Sequence, residues 1–455
     1  MKTAAIEGKK EVYFSNRDLT LLIAPLLLEQ LLSITVGLAD SLMVSSVGDA
    51  AISAVSLVDS ISNLMLYIFS AMATGGAVVA GQYIGRREAE KARRSGQQMM
   101  ALVLIVAAVI CAALYLFKGS IISGLFGQID EDVRAATDTY YSIVMASIPS
   151  IALYNGGAAL MRAMARTDLT LKISLLSNVI NVAGNAILIF GFGCGVEGVA
   201  IPTFVSHTAA AIVMLVLLHD QKRVLNIAGL RAFRFERCTL WDIVRIGIPS
   251  GLENGMFNFG KLMLYSLIST FGTASITANA IGATMGMFHC FAGSAVGMGM
   301  VTVISRCIGA GDYKAAKYYF KKLMLISFAA MFFVNLLLAL AVPLTVRAYG
   351  LDGETAALTA KVLLVHGIAG MVLWVPSFNT PQFLRAAGDS GYTLIVSALS
   401  MWLLRVAPAY VLGTYFSWGV VGVWFAQSVF DWSARSICFF LRYKSEKWKN
   451  HGVRG

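Results

Sequence analysis

Long apolar runs separated by short polar segments, many marked by glycine or clustered charge, set the pattern of this chain. Roughly 20 successive apolar residues suffice for a helix to cross the hydrocarbon of a bilayer. With turn signals and charge clusters as boundaries, the pattern predicts spans over 18–45, 52–84, 97–117, 137–161, 169–191, 197–218, 242–270, 275–307, 320–347, 356–384, 391–413 and 418–441. Several are longer than a bilayer needs, which implies tilt, bending or extension past the headgroups. The expected fold class is all-α integral membrane, with twelve transmembrane helices. The first run holds Glu29 and Asp40 and lacks a small-residue cleavage site, so it reads as a retained helix and not as a signal peptide.

The pattern repeats. A shift of 224 positions, Pro25 onto Pro249, aligns residues 25–85 with 249–309 without a gap. Glu29 then meets Glu253, Gly48 meets Gly272, and Ile84-Gly85 meets Ile308-Gly309. Further on, Arg162 meets Arg385, Thr170-Leu171 meets Thr393-Leu394, and Gly195-Val196 meets Gly419-Val420. An even number of spans precedes the second copy, so the copies share an orientation: a parallel repeat of two six-helix lobes around a central cleft. The expected divisions are a lobe over 1–218, a basic linker over 219–241, and a lobe over 242–455 with a basic tail.

Of 455 residues, 57% are hydrophobic and only 13% are charged, too apolar for soluble cores. The net charge of +11 is carried in short loops and not as a patch on a polar domain, which argues against nucleic acid. Lys2, Lys9, Lys10 and Arg17 in the N-terminal segment fall on one side of the membrane. Arg86, Arg87, Arg166, Lys222, Arg231, Arg234, Lys314 and the tail after Leu441 fall there too, and only Lys118, Arg134, Arg347 and Lys361 face the other side. The positive-inside rule then makes both termini and the linker cytoplasmic. The six cysteines are scattered, without metal-ligand spacing. No phosphate-binding loop, hydrolase elbow or metalloprotease motif is present, which leaves a secondary transporter and not an enzyme, pump or channel.

An ionisable residue within a span is expensive and is a functional candidate by default. Glu29 and Asp40 share a face of the first helix, Asp40 in its outer half. The fifth helix carries Asn178, Asn181 and Asn185, and the sixth brings Thr203 to a similar depth. Asp40, Asn181, Asn185 and Thr203 form an oxygen-rich, singly anionic set suited to Na⁺ or to a proton on the carboxylate. The competing reading is a hydrogen-bonded core in which the amides join helices. The repeat places Leu264 where the first copy has Asp40, and Arg405 next to the counterpart of Asn181, so a cation site is expected in the first lobe only. Glu253 or Asp431 could neutralise Arg405, and Asp431 could equally pair with Arg435. Glu29 and Glu253 could line the cleft mouth, or pair locally with Lys261. Asp59, Asn63 and Met285 are further cleft candidates, and Pro25 could bend the helix that carries Asp40. His207 and His289 read as core residues.

Gly37-Leu38-Ala39-Asp40-Ser41-Leu42-Met43-Val44, preceded by Pro25 and followed by Gly48, resembles the first-helix signature of the multidrug and toxic compound extrusion (MATE) family. Gly81-Gln82-Tyr83-Ile84-Gly85, Gly195-Val196-Glu197-Gly198-Val199 and Leu384-Arg385-Ala386-Ala387-Gly388-Asp389 extend the resemblance over nearly the whole chain. It implies an antiporter that exports amphipathic, often cationic organic compounds against H⁺ or Na⁺, with no cofactor, in the lipid bilayer and as a monomer. Asp40 would be the coupling carboxylate, Pro25 the bend, and Asn181 and Thr203 cation-site positions. Asn185 stands where many prokaryotic members carry an Asp. A lipid-linked saccharide flippase of a related fold is the alternative.

Overall fold

The structure is a computed structural model that describes residues 13–126, 130–228 and 234–452. Lys2, Lys9, Lys10 and Arg231 of the basic side lie outside the described residues. The first half contains α1 (Asn16–Ser45), α2 (Asp49–Gly85), α3 (Ala89–Leu116), α4 (Lys118–Phe126), α5 (Glu131–Met145), α6 (Ile148–Ala163), α7 (Thr167–Ala186) and α8 (Glu197–His219). The second contains α9 (Arg237–Ser269), α10 (Thr273–Gly309), α11 (Tyr313–Leu340), α12 (Val342–Ala348), α13 (Gly353–Ala369), α14 (Val375–Ala386), α15 (Ser390–Ser400), α16 (Ala407–Tyr410), α17 (Gly419–Phe425) and α18 (Trp432–Lys444). Wide π turns continue α7 over Ile187–Gly191, join α13 to α14 over Gly370–Trp374, join α15 to α16 over Met401–Val406, and join α17 to α18 over Ala426–Asp431.

These elements make twelve membrane-spanning rods in two six-rod lobes. Among the described residues, nine helices are long and apolar enough to cross a membrane, and α5 with α6 makes a tenth. The other two rods, α9 and α17–α18, hold Glu253, Lys261, Asp431 and Arg435, charges that dilute their apolar character. Several rods depart from the sequence expectation. The fourth rod bends by 44° between Met145 and Ile148, where the backbone of Ala146 and Ser147 breaks the ladder ahead of Pro149. The ninth ends at Leu340, and Pro343 opens the separate helix α12. The third and ninth begin at Ala89 and Tyr313, earlier than hydropathy suggests, because their first turns are charged and lie beyond the apolar layer.

Local chemistry explains the starts and joints. Ser15 and Asp18 form a reciprocal capping box on α1, at 3.2 and 2.8 Å, which satisfies two orphan amide groups. Gly48 (φ 128°) and Gly272 (φ 90°) turn the chain at corresponding points, in a backbone region that side chains disfavour. Each lobe also has a proline inside its first rod. Pro25 cannot donate to the carbonyl of Leu21, and the Thr167 hydroxyl of α7 donates to Leu21 O at 3.2 Å and Leu22 O at 2.9 Å instead. In the second lobe Pro249 frees the carbonyl of Arg245, which accepts the Ser390 hydroxyl of α15 at 3.1 Å. Helix α1 runs through Pro25 without a break in its assignment.

The basic loops gather at one end. Phe14 N donates to Tyr319 at 2.9 Å, Arg94 meets Glu236 at 3.0 Å, and Arg442 meets Asp389 at 2.6 Å there. The lobes meet at this basic end through backbone-to-backbone approaches. A Cβ on Gly75 would lie 2.4 Å from Ile243 O, and one on Gly309 would lie 1.9 Å from Gln82 O. Gln82 donates to Ala386 O at 2.9 Å, Thr302 to Arg162 O at 3.0 Å, and Arg306 to Ala163 O at 2.6 Å. Among the described residues, the hydrogen bonds found between α1 and the second lobe go no deeper than Gln30 with Met298. The cleft therefore closes at the basic end and opens at the other.

The seam should not tolerate a branched side chain. In a Thr302→Cys chain, adding Gly309→Val should raise severalfold the rate at which an impermeant maleimide modifies residue 302 from the basic side, followed by peptide mass spectrometry. An unchanged rate would mean that the seam absorbs the branch.

Candidate functional site

The first lobe brings four of the sequence candidates into two contacts at one depth. Asn185 Nδ2 donates to Asp40 Oδ1 at 2.5 Å, joining α7 to α1. One turn back on α7, Asn181 Nδ2 donates to Thr203 Oγ1 at 3.2 Å, and Thr203 in turn donates to Val199 O at 2.8 Å. Asn185 Oδ1 is buried with no partner among the described residues. An Asn amide carries donors on one side and an acceptor on the other. With its nitrogen toward Asp40 it suits the carboxylate; turned over, its free oxygen would suit a protonated acid or a small cation.

The remaining candidates surround this pair at different distances. Asp59 on α2 lies within electrostatic range of Asp40 and accepts the Tyr140 hydroxyl at 3.5 Å. Tyr140 is 2% exposed and was not among the sequence candidates. Its signal was a tyrosine inside a span, whose hydroxyl needs a partner when buried. Glu29 accepts the Thr170 hydroxyl at 2.9 Å, nearer the basic end. Asn178 is half-buried and makes no hydrogen bond among the described residues, Asn63 is exposed, and Met285 is half-buried on α10.

Glu253 departs from the expected cleft mouth. It is 6% exposed and receives Arg385 at 2.6 Å, Arg435 at 3.5 Å, Ser397 at 2.6 Å and Thr393 at 3.3 Å. Its partners are therefore two arginines from α14 and α18, and not Lys261, because the i+8 spacing along α9 turns Lys261 to another level. The Glu29–Thr170 contact of the first lobe recurs as Glu253–Thr393, where Arg385, the counterpart of Arg162, and Arg435 also reach the glutamate. Arg405 Nε and Nη2 both donate to Asp431 Oδ2, at 2.9 and 2.5 Å, with each residue 1% exposed. Of the alternatives the sequence allowed, Arg405 thus takes Asp431, and Arg435 turns to Glu253. His289 is buried against Asn335 at 2.6 Å, as a core residue.

Similarity to known proteins agrees with this architecture. The profile of a family described as MatE matches twice, over residues 25–187 and 249–411, the second match displaced by the same 224 positions (25 to 249) as the repeat. The Uncharacterized transporter YisQ of Bacillus subtilis is 26% identical, over 99% of this chain and 98% of its own length. The Probable multidrug resistance protein NorM of Thermotoga maritima is 22% identical, over 98% and 96%. Among solved structures, MATE in the bent conformation superposes with a TM-score of 0.87 at 19% identity, covering 96% of this chain and 97% of that one.

The buried Arg405–Asp431 pair should show the asymmetry of paired interior charges. Arg405→Met alone strands Asp431 and should destabilise the chain by about 3–5 kcal/mol. The double variant Arg405→Met, Asp431→Leu should recover most of that loss. Thermal unfolding in detergent of the two variants beside the parent checks the difference.

Proposed function

Because this chain belongs to the MatE family of multidrug and toxic compound extrusion transporters, we propose that it is a secondary antiporter with Asp40 as its coupling carboxylate. The observation that carries this reading is the Asp40–Asn185 contact, in which an acid in the open half of the cleft is held by a neutral amide and not by a cation. An acid held this way can exchange a proton or Na⁺ without first breaking an ion pair. Asn181 and Thr203 supply further oxygens one turn away. They suit Na⁺, and a proton needs only the carboxylate and the free Asn185 oxygen.

Alternating access follows from the seam. Binding at Asp40 alters α1, whose lower half is held to α7 by Thr167 at the Leu21 carbonyl that Pro25 frees and at its neighbour Leu22 O. Rocking of the lobe over 1–218 against that over 242–455, with 219–241 as tether, then opens the basic end. The basic end is the cytoplasmic one, in an inner membrane, and a monomer carries the cleft. The acids Asp40, Asp59 and Glu29 in the first lobe favour amphipathic cationic compounds as cargo, exported as the coupling ion enters.

Purified chain in proteoliposomes, loaded with a cationic dye, tests the reading when Na⁺ and proton gradients are imposed separately. One gradient should drive efflux, and Asp40→Asn should reduce it to the protein-free background. Undiminished gradient-driven efflux by Asp40→Asn would overturn the assignment of the coupling residue.

A further inference from the structure

The first lobe is acidic inside, and the second is not. Its interior holds a cavity of about 380 Å³, a volume within the ordinary range for small-molecule sites, and no Asp or Glu is among its lining residues. The cations Lys261 and Arg405 stand on one wall. Both pack on the same ring: Lys261 Nζ lies 4.9 Å and Arg405 Cζ 4.4 Å from the centre of Phe257. Lys261 has no hydrogen bond or ion pair among the described residues, and it is exposed at the mouth.

The buried donors of this cavity are short of acceptors. Asp431 occupies Nε and Nη2 of Arg405, and the remaining Nη1 is buried with no partner. The indole nitrogen of Trp432 is likewise buried without an acceptor, in a side chain 2% exposed. Asn279 uses its oxygen for the Trp424 indole at 3.0 Å, which leaves its amide nitrogen to donate. A buried donor without an acceptor costs free energy, and both belong to residues of the cavity wall, so a small rotation of either side chain would offer a donor to an acceptor-rich guest. The π turns add a second sign. Trp374, Arg405 and Gln427 all lie in π turns, and all line the cavity; such irregularities concentrate at functional sites.

We propose that this cavity binds aromatic organic anions, with the acid group beside Lys261 and Arg405. The ring system lies among Trp374, Phe378 and Trp424, whose faces and edges offer stacking area. A cation is excluded by the same two charges, so the two lobes of the transporter take cargo of opposite sign. The inference rests on the reading of the chain as an organic-compound exporter only for its physiological meaning. Binding itself is independent of coupling at Asp40.

The test measures binding without transport. Full-length protein in nanodiscs is titrated with 2-naphthoate while its tryptophan fluorescence is followed, since Trp374, Trp424 and Trp432 line the cavity. The expected result is saturable quenching, with at least about tenfold weaker binding of the neutral 2-naphthamide, the equivalent of one charge-assisted hydrogen bond. Lys261→Gln should weaken 2-naphthoate by a similar factor. Gly286→Leu, which grows from the cavity wall toward His366 and Trp424, should abolish binding. Asp40→Asn should bind as the parent does, even where it transports nothing, which separates failure here from failure of the antiport reading. Equal affinity for the amide, no loss in Lys261→Gln and Gly286→Leu variants that keep the parent's melting temperature, or loss of binding in Asp40→Asn would each overturn the proposal.

Discussion

A charge placed inside the hydrocarbon has no bulk water to turn to, so the protein must supply its partner, and this constraint shapes both lobes. An uncompensated ionisable side chain at the centre of a span costs about 2.5–3.5 kcal/mol on insertion scales. The first lobe meets that cost for Asp40, Asp59 and Glu29 with an amide, a phenol and a hydroxyl. The second meets it for Glu253 and Asp431 with arginines. Neutral partners can be traded for a proton or a cation at small cost. A buried carboxylate already paired with guanidinium groups cannot be, because a further positive charge would crowd against the arginines. In the antiport proposed above, the first lobe is therefore the one that responds to ions and the second is fixed.

The shared repeat makes this division visible. Both lobes keep the proline that frees a carbonyl, the hydroxyl that answers it, and the glutamate bonded to a threonine one rod away. They keep the glycine turns at Gly48 and Gly272 as well. What changed is the side chains inside: Leu264 stands for Asp40, and Arg405 entered beside the counterpart of Asn181. Backbone geometry was conserved between the copies while the sign of the interior charge was reversed.

Much of this was legible in the sequence because its causes are local or periodic. Apolar runs mark rods, basic loops mark one end, and helix rise converts position into depth, which is how Asp40, Asn185, Asn181 and Thr203 fell at one level. Pairings that depend on rotation between distant rods were not legible. Glu253 could be given Lys261 as a partner from its own helix, yet its arginines come from residues 385 and 435, and only packing brings them in. The bend between α5 and α6 hid for a related reason: the residues there are ordinary, and Pro149 alone is allowed at a helix start. The aromatic cavity assembles Phe257, Trp374 and the pair Trp424 and Trp432 from three rods, and each residue alone reads as core.

How an event at Asp40 reaches the seam depends on the same economy of partners. Pro25 removes one rung from the helix ladder of α1, and the carbonyl it frees is held by Thr167 of α7, the helix that also carries Asn185. Three hydrogen-bonded contacts therefore tie α1 to α7, two above the proline, at Asp40 and at Glu29 with Thr170, and one below it at the freed carbonyl. In the proposed cycle, a change of partner at Asp40 loosens the uppermost tie while the lowest stays, and the segment between them contains the one rung missing from the ladder. Strain between fixed points is taken up where the helix is weakest. The lower half of α1 is also the half that packs on α10 at the basic end, where a Cβ on Gly299 would lie 3.4 Å from Ile23 and 3.6 Å from Leu22, at ordinary packing distance. In the antiport cycle proposed above, movement at the proline reaches the seam through this packing of α1 on α10.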